Sequence, residues 1–156
     1  MVIDFVRIIC LEIMAYGMGV VIHEVGHLFA SWLVKLSVSE FSVGCGPVIF
    51  QCSNTVSGAL TIRLIPLCGF CQIVNEDFKL SNISKERGSI VLAGGFVFNM
   101  IFAVLMLMFR FVFMNKIEIP IFVDIFAAMN IFLALTNFLP MLKNDGWKIK
   151  NYWKEI

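Results

Sequence analysis

The chain has 156 residues, 60% of them hydrophobic and only 15% charged, whereas about a quarter of the residues in a soluble domain are charged. This balance excludes an ordinary soluble protein and predicts an α-helical integral membrane protein, with the lipid bilayer as its first partner. The net charge of +1 gives no reason to expect nucleic acid as a partner.

The first apolar run extends from about Phe5 to Leu36, long enough to cross a bilayer. Asp4 and Glu12 break the basic-then-apolar order of a signal peptide and no A-x-A-like cleavage site follows, so the segment is expected to be retained. Within it lies His23-Glu24-Val25-Gly26-His27, an H-E-x-x-H motif. Residues four apart share a helix face, so His23 and His27 can bind one zinc ion while Glu24 acts as general base toward its water. The bland alternative is a pair of core histidines bonded to neighbouring helices. Ionisable side chains in a span cost roughly 2.5–3.5 kcal/mol each on insertion scales, which favours a functional site.

Residues 37–79 are punctuated by Gly44, Gly46, Pro47, Gly58, Pro66 and Gly69. Val48-Ile49-Phe50 and Ala59 to Ile65 are β-prone, which predicts a small membrane-associated β-hairpin region over about 41–73. Cys68 and Cys71 have C-x-x-C spacing among five cysteines. No βαβ pattern surrounds them, so packing of a tight turn is preferred to a redox pair or half a metal site. Asn75 to Arg87 is the most polar stretch, and Ser84 is placed to cap the next helix.

Two further spans are predicted over about 89–113 and 117–139, joined by a short connection that forces a tight helical hairpin. With Lys35, Arg63, Lys79, Lys85, Arg87, Lys143, Lys148, Lys150 and Lys154 in the cytoplasm, only Arg7, Arg110 and Lys116 remain outside, so the N-terminus is expected outside and the C-terminus inside. The end of the third span then meets the end of the first. Pro140 ends or kinks that span and Gly146 permits a turn, which makes Asp145 the natural third ligand. Two histidines and a carboxylate with an open fourth position form a catalytic zinc arrangement. Asp124 lies too far along the helix to compete.

Over nearly its whole length the chain resembles the site-2 protease family of intramembrane zinc metalloproteases. The resemblance rests on His23-Glu24-Val25-Gly26-His27, on Phe41 to Pro47, on Ile65 to Phe70, on Gly95-x-x-x-Asn99, and on Asn137-x-x-Pro140 followed by Asp145-Gly146. It implies zinc ligation by His23, His27 and Asp145, catalysis by Glu24, and supporting or substrate-contacting roles for Asn99 and Asn137. Phe96, Leu142 and Asn144 depart from residues common in the family. A PDZ or CBS domain has no room here, so a minimal form is expected, with recognition by the core itself or by a regulatory partner in the membrane. The three spans and the hairpin region are taken as one domain over residues 1–156.

The function expected is cleavage of a membrane-embedded peptide or single-span protein near the cytoplasmic face, for regulated intramembrane proteolysis or peptide maturation. A non-catalytic peptide-binding protein retaining the metal site is the alternative, and a thiol oxidoreductase using Cys68 and Cys71 is a third. Extended substrate is expected to pair with the hairpin between Gly46 and Ile65, along Thr61 to Leu64.

Overall fold

The computed structural model describes residues 2–55, 58–73, 84–113, 120–141 and 143–154. In chain order these form α1 (Val2–Leu33), β1 (Val38–Thr55), β2 (Gly58–Ile73), α2 (Lys85–Phe113), α3 (Ile121–Phe138) and α4 (Asp145–Lys154). The first three helices are long and apolar enough to cross a membrane. They hold 32, 29 and 18 residues, which at ~1.5 Å per residue gives about 48, 43 and 27 Å.

Local chemistry fixes the helix ends. Lys35 takes a positive φ of 56°, and the bonds Leu36 N–H to Ser31 O (2.9 Å) and Lys35 N–H to Trp32 O (3.1 Å) close α1 in a Schellman turn. The helix therefore stops at Leu33, three residues before the apolar run does. Ser84 caps α2 as its position predicts, its hydroxyl accepting the Arg87 N–H at 3.4 Å, so α2 starts at Lys85, a turn before the apolar span. Leu139 is extended (φ −66°, ψ 129°), the conformation a residue before proline prefers, and α3 stops there. The polar stretch from Asn75 and the hairpin connection around 114–119 lie largely or wholly outside the described residues.

The helices bury their polar side chains among small and apolar ones and turn large apolar side chains outward. Asn99, Asn130 and Ser31 are fully buried, while Phe111, Phe132 and Val112 are exposed, the distribution expected where lipid is the solvent. A methyl group on Gly26 would lie 2.3 Å from the Gly94 carbonyl oxygen, so α1 and α2 cross backbone against backbone. At the far end of α2, Arg110 Nε pairs with Asp124 Oδ1 of α3 at 3.3 Å.

The two strands pair antiparallel, but both are bent. Gly44 and Gly46 take φ of 94° and 83°, the left-handed region that glycine enters without strain, and β1 folds back there. Four rows result. Val38–Val43 faces Gly69–Ile73 on one side and, over Glu40–Val43, Ala59–Ile62 on the other; Val48–Cys52 covers the far side of the Ala59–Ile62 row. Thr61 thus has Ser42 on one side and Gln51 on the other and is 1% exposed. This corrects the expectation of a free edge along Thr61 to Leu64 at Thr61 and Ile62, which are paired on both sides, because a simple two-row hairpin leaves that row open and the bend in β1 covers it. The outer rows are Val48–Cys52 and Gly69–Ile73.

Candidate metal centre

His23 and His27 lie one helical turn apart on the buried face of α1, and Asp145, the first residue of α4, meets them from the other end of the chain. His23 Nε2 is 3.1 Å from His27 Nε2, and Asp145 Oδ2 is 3.0 Å from the first and 3.2 Å from the second. Tetrahedral zinc with bonds of about 2.0–2.1 Å sets its ligands roughly 3.3–3.4 Å apart. The triangle is therefore close to the size of a zinc coordination face.

Proton assignment supports the same reading. His23 Nδ1 bonds Asn99 Oδ1 at 2.9 Å and His27 Nδ1 bonds the Val91 carbonyl at 2.8 Å. Both partners are acceptors, so both Nδ1 atoms carry the hydrogen and, in neutral rings, both Nε2 atoms hold lone pairs. Two lone pairs and a carboxylate oxygen converging within about one hydrogen-bond length repel one another unless a cation lies between them. The donor set fits zinc, whose ligands are imidazole nitrogen and carboxylate oxygen.

Asp145 is delivered by a junction that sequence reading did not anticipate. Gly146 was expected to permit a turn, yet it lies inside α4 and serves close approach instead: a methyl group there would meet the Phe138 carbonyl oxygen at 2.1 Å. Asn144 caps α4, its Oδ1 accepting the Trp147 N–H at 3.0 Å, while its Nδ2 donates to the Leu139 carbonyl at 2.6 Å and to the Thr136 carbonyl. One side chain thus satisfies the end of α3 and the start of α4. Burial disfavours the Asp145 carboxylate, but the adjoining His23 and His27 imidazoles, followed by the Lys148 charge, outweigh it and hold the carboxyl well below the ordinary range.

Glu24 is buried beside the triangle and lines the same cavity, which has a volume of about 860 Å³. Its Cγ packs against the backbone of the outer strand row, where a methyl group on Gly69 would lie 2.6 Å away. Gly95 opens α2 to the His23 ring in the same way, at 2.5 Å. Asn99 uses its whole amide inside the bundle, donating to Gly19 O at 2.9 Å and to Asn130 Oδ1 at 2.8 Å. Asn137 lines the cavity and donates to Leu133 O at 3.0 Å. Sequence reading missed Asn130, Lys148 and the role of Asn144. A lone carboxamide in an apolar span was the available signal for Asn130.

Cys68 and Cys71 show no sign of activation. A hydrogen bond with Cys45, helped by burial, pushes the Cys68 thiol up to about 11, and burial pushes Cys71 up to about 12.

Comparison with known proteins bears on the same residues. The model of Peptidase family M50 matches residues 11–118, a stretch that holds His23, Glu24, His27 and Asn99 and ends before Asp145. The zinc metalloprotease RasP of Geobacillus kaustophilus is 35% identical over 79 residues, 51% of this chain and 18% of the relative. The regulator of sigma-W protease RasP of Bacillus subtilis is 36% identical over 73 residues, 47% of this chain and 17% of the relative. The zinc metalloprotease RasP of Oceanobacillus iheyensis is 40% identical over 65 residues, 42% of this chain and 15% of the relative. The match thus spans less than a fifth of the length of each of these three relatives. With two thirds of its length under the family model and an H-E-x-x-H helix facing a buried aspartate, the chain belongs to Peptidase family M50, the site-2 proteases.

Proposed function

We propose that the chain is an intramembrane zinc endopeptidase, with His23, His27 and Asp145 as ligands and Glu24 as general base. The observation that carries this reading is the convergence of two imidazole Nε2 atoms and one carboxylate oxygen beside a buried Glu24. Zinc bound there supplies Lewis-acid polarisation of a peptide carbonyl and a lowered pKa for water. Glu24 takes the proton from the attacking water and returns it to the leaving amine. Asn99 orients His23, while Asn137, at the cavity wall, is placed to meet substrate backbone.

The substrate is a membrane-embedded peptide or single-span protein cut near the cytoplasmic face, with the N-terminus of the chain outside and its C-terminus inside. A helix hides its peptide bonds in its own hydrogen bonds, so the substrate must be extended when cut. The outer row Gly69–Ile73 borders the cavity, and substrate pairs with it by strand addition. A role in regulated proteolysis agrees with the name of the Bacillus relative, a regulator of sigma-W protease. All these parts belong to one catalytic unit spanning the described elements.

A peptide-binding protein that keeps the metal but does no chemistry has no use for a base at position 24, which favours the protease. Purified protein in detergent is incubated with membrane peptides, with and without chelator, beside Glu24→Gln. The amide cannot accept a proton, so turnover should fall about 10²–10⁴-fold with zinc content unchanged. Chelator-insensitive cleavage, or substantial activity in Glu24→Gln, rejects the mechanism; binding without cleavage favours the alternative.

A further inference from the structure

Asn130 stands in the middle of α3, fully buried, where an unsatisfied carboxamide is costly. It is not isolated. Its Nδ2 donates to the Phe126 carbonyl at 2.9 Å and its Oδ1 accepts from Asn99 Nδ2 at 2.8 Å. Asn99 Nδ2 gives its other hydrogen to the Gly19 carbonyl at 2.9 Å, which leaves Oδ1 to face His23 Nδ1 at 2.9 Å. An amide can be turned over by half a rotation, and a turned Asn99 would aim N–H groups at His23 and force the other tautomer. The Phe126 and Gly19 carbonyls are fixed acceptors. Phe126 O orients the Asn130 amide so that its oxygen faces Asn99, and two acceptors then hold Asn99 with its oxygen toward the ring.

We infer that Asn130 is a positioning residue of the metal site: through Asn99 it sets the His23 tautomer that leaves Nε2 free as a ligand. The relay runs from α3 through α2 to α1, and α3 also ends at the junction that carries Asp145, so one side chain ties two ligand-bearing elements into a single frame. Second-layer partners of metal-bound histidines have this effect, and their loss typically weakens metal binding 10–100-fold.

The inference rests on the zinc reading above and is tested on the whole chain. Zinc affinity is measured by chelator competition for wild type, Asn130→Leu and Asn130→Asp, and ¹⁵N-histidine spectra report the ring tautomers; His23 and His27 are the only two histidines, so the spectra are simple. Aspartic acid, kept neutral by full burial, holds an oxygen toward Asn99 and an O–H toward the Phe126 carbonyl, and leucine keeps only the bulk. Wild type and Asn130→Asp should hold zinc within about threefold of one another, while Asn130→Leu should lose at least about tenfold and show His23 in mixed tautomers. Asn130→Ala takes the place of Asn130→Leu if the latter fails to assemble by circular dichroism. An apolar variant that melts earlier but keeps wild-type zinc affinity and tautomers makes Asn130 a packing residue and overturns the inference, as does an aspartate variant as impaired as the leucine one. A wild type that binds no zinc overturns the zinc reading itself, and the inference with it.

Discussion

The Lys148 ammonium lies 3.0 Å from Asp145 Oδ1, the carboxylate oxygen turned away from the imidazoles, while Oδ2 faces both. Lysine therefore occupies one oxygen and leaves the other available to a metal ion. The lysine side chain is half exposed, and ion pairs in that setting contribute about 0–1 kcal/mol. Lys148→Met should lower zinc affinity less than about tenfold, and Lys148→Arg should restore it. Asp145→Ala removes a ligand and should abolish both tight zinc binding and turnover. Chelator competition on the three variants checks the order, and a methionine variant as metal-poor as the alanine one contradicts it.

Asn144 is predicted to matter through geometry, not through substrate. Losing the cap costs about 0.5–2 kcal/mol, and the Leu139 and Thr136 carbonyls lose their donor as well. Asn144→Ala should lower the melting temperature and weaken zinc binding together. Asn144→Asp keeps the cap yet turns an acceptor on those carbonyls, so it should be no better than alanine. Thermal melts with and without zinc test this, and an aspartate variant indistinguishable from wild type refutes the two-ended role.

With their pKa raised to about 11 and about 12, Cys68 and Cys71 remain thiols at neutral pH, and the thiolate is the reactive form. Iodoacetamide labelling should be slow at pH 7.5 and accelerate only above about pH 10 as the thiolate fraction grows. Cys68→Ser combined with Cys71→Ser should retain zinc and most activity. Rapid labelling at neutral pH, or loss of turnover with the metal site filled, would restore the redox reading.

Strand addition makes a positional prediction. Ser39 Oγ donates to the Gln72 carbonyl at 3.0 Å, so Gln72 turns its backbone groups toward β1, and by alternation Cys71 turns its N–H outward. Cys71→Pro removes that donor and should raise KM or lower kcat at unchanged zinc occupancy, with Cys71→Ala as the control. Normal cleavage of a helical substrate by a folded, zinc-loaded Cys71→Pro protein rules out pairing at this row.

That His23 and His27 share one helix face could be read from their four-residue spacing, and that Asp145 approaches them followed from the expected order of spans plus Pro140, because helix period and bilayer thickness are strong constraints. The family came from motifs spread along the chain. Other features depended on what tertiary packing decides. The α4 helix has only 10 residues and is rich in lysine, so its hydropathy gives no span signal. Its start is set by the Asn144 bonds to α3, which local sequence does not specify. The buried row at Thr61 arose from the left-handed glycines at positions 44 and 46, where composition predicts a turn but not that β1 returns to cover its neighbour. Asn130 lay in an apolar run, and its partner is 31 residues away on another helix.

The unequal helix lengths have a consequence for how water arrives. At ~27 Å, α3 is shorter than the roughly 30 Å hydrocarbon layer, whereas α1 at ~48 Å exceeds it. Hydrophobic mismatch would pinch a bilayer crossed by these helices beside α3 and stretch or pierce it beside α1. The C-terminal end of α3 leads to Asn137, Asn144 and Asp145, so thinning on that side would bring the headgroup region toward the His23–His27–Asp145 cluster. The proposed hydrolysis in an apolar solvent needs a supply of its second reactant, and this mismatch would shorten the dry distance that each water molecule must cross to reach Glu24.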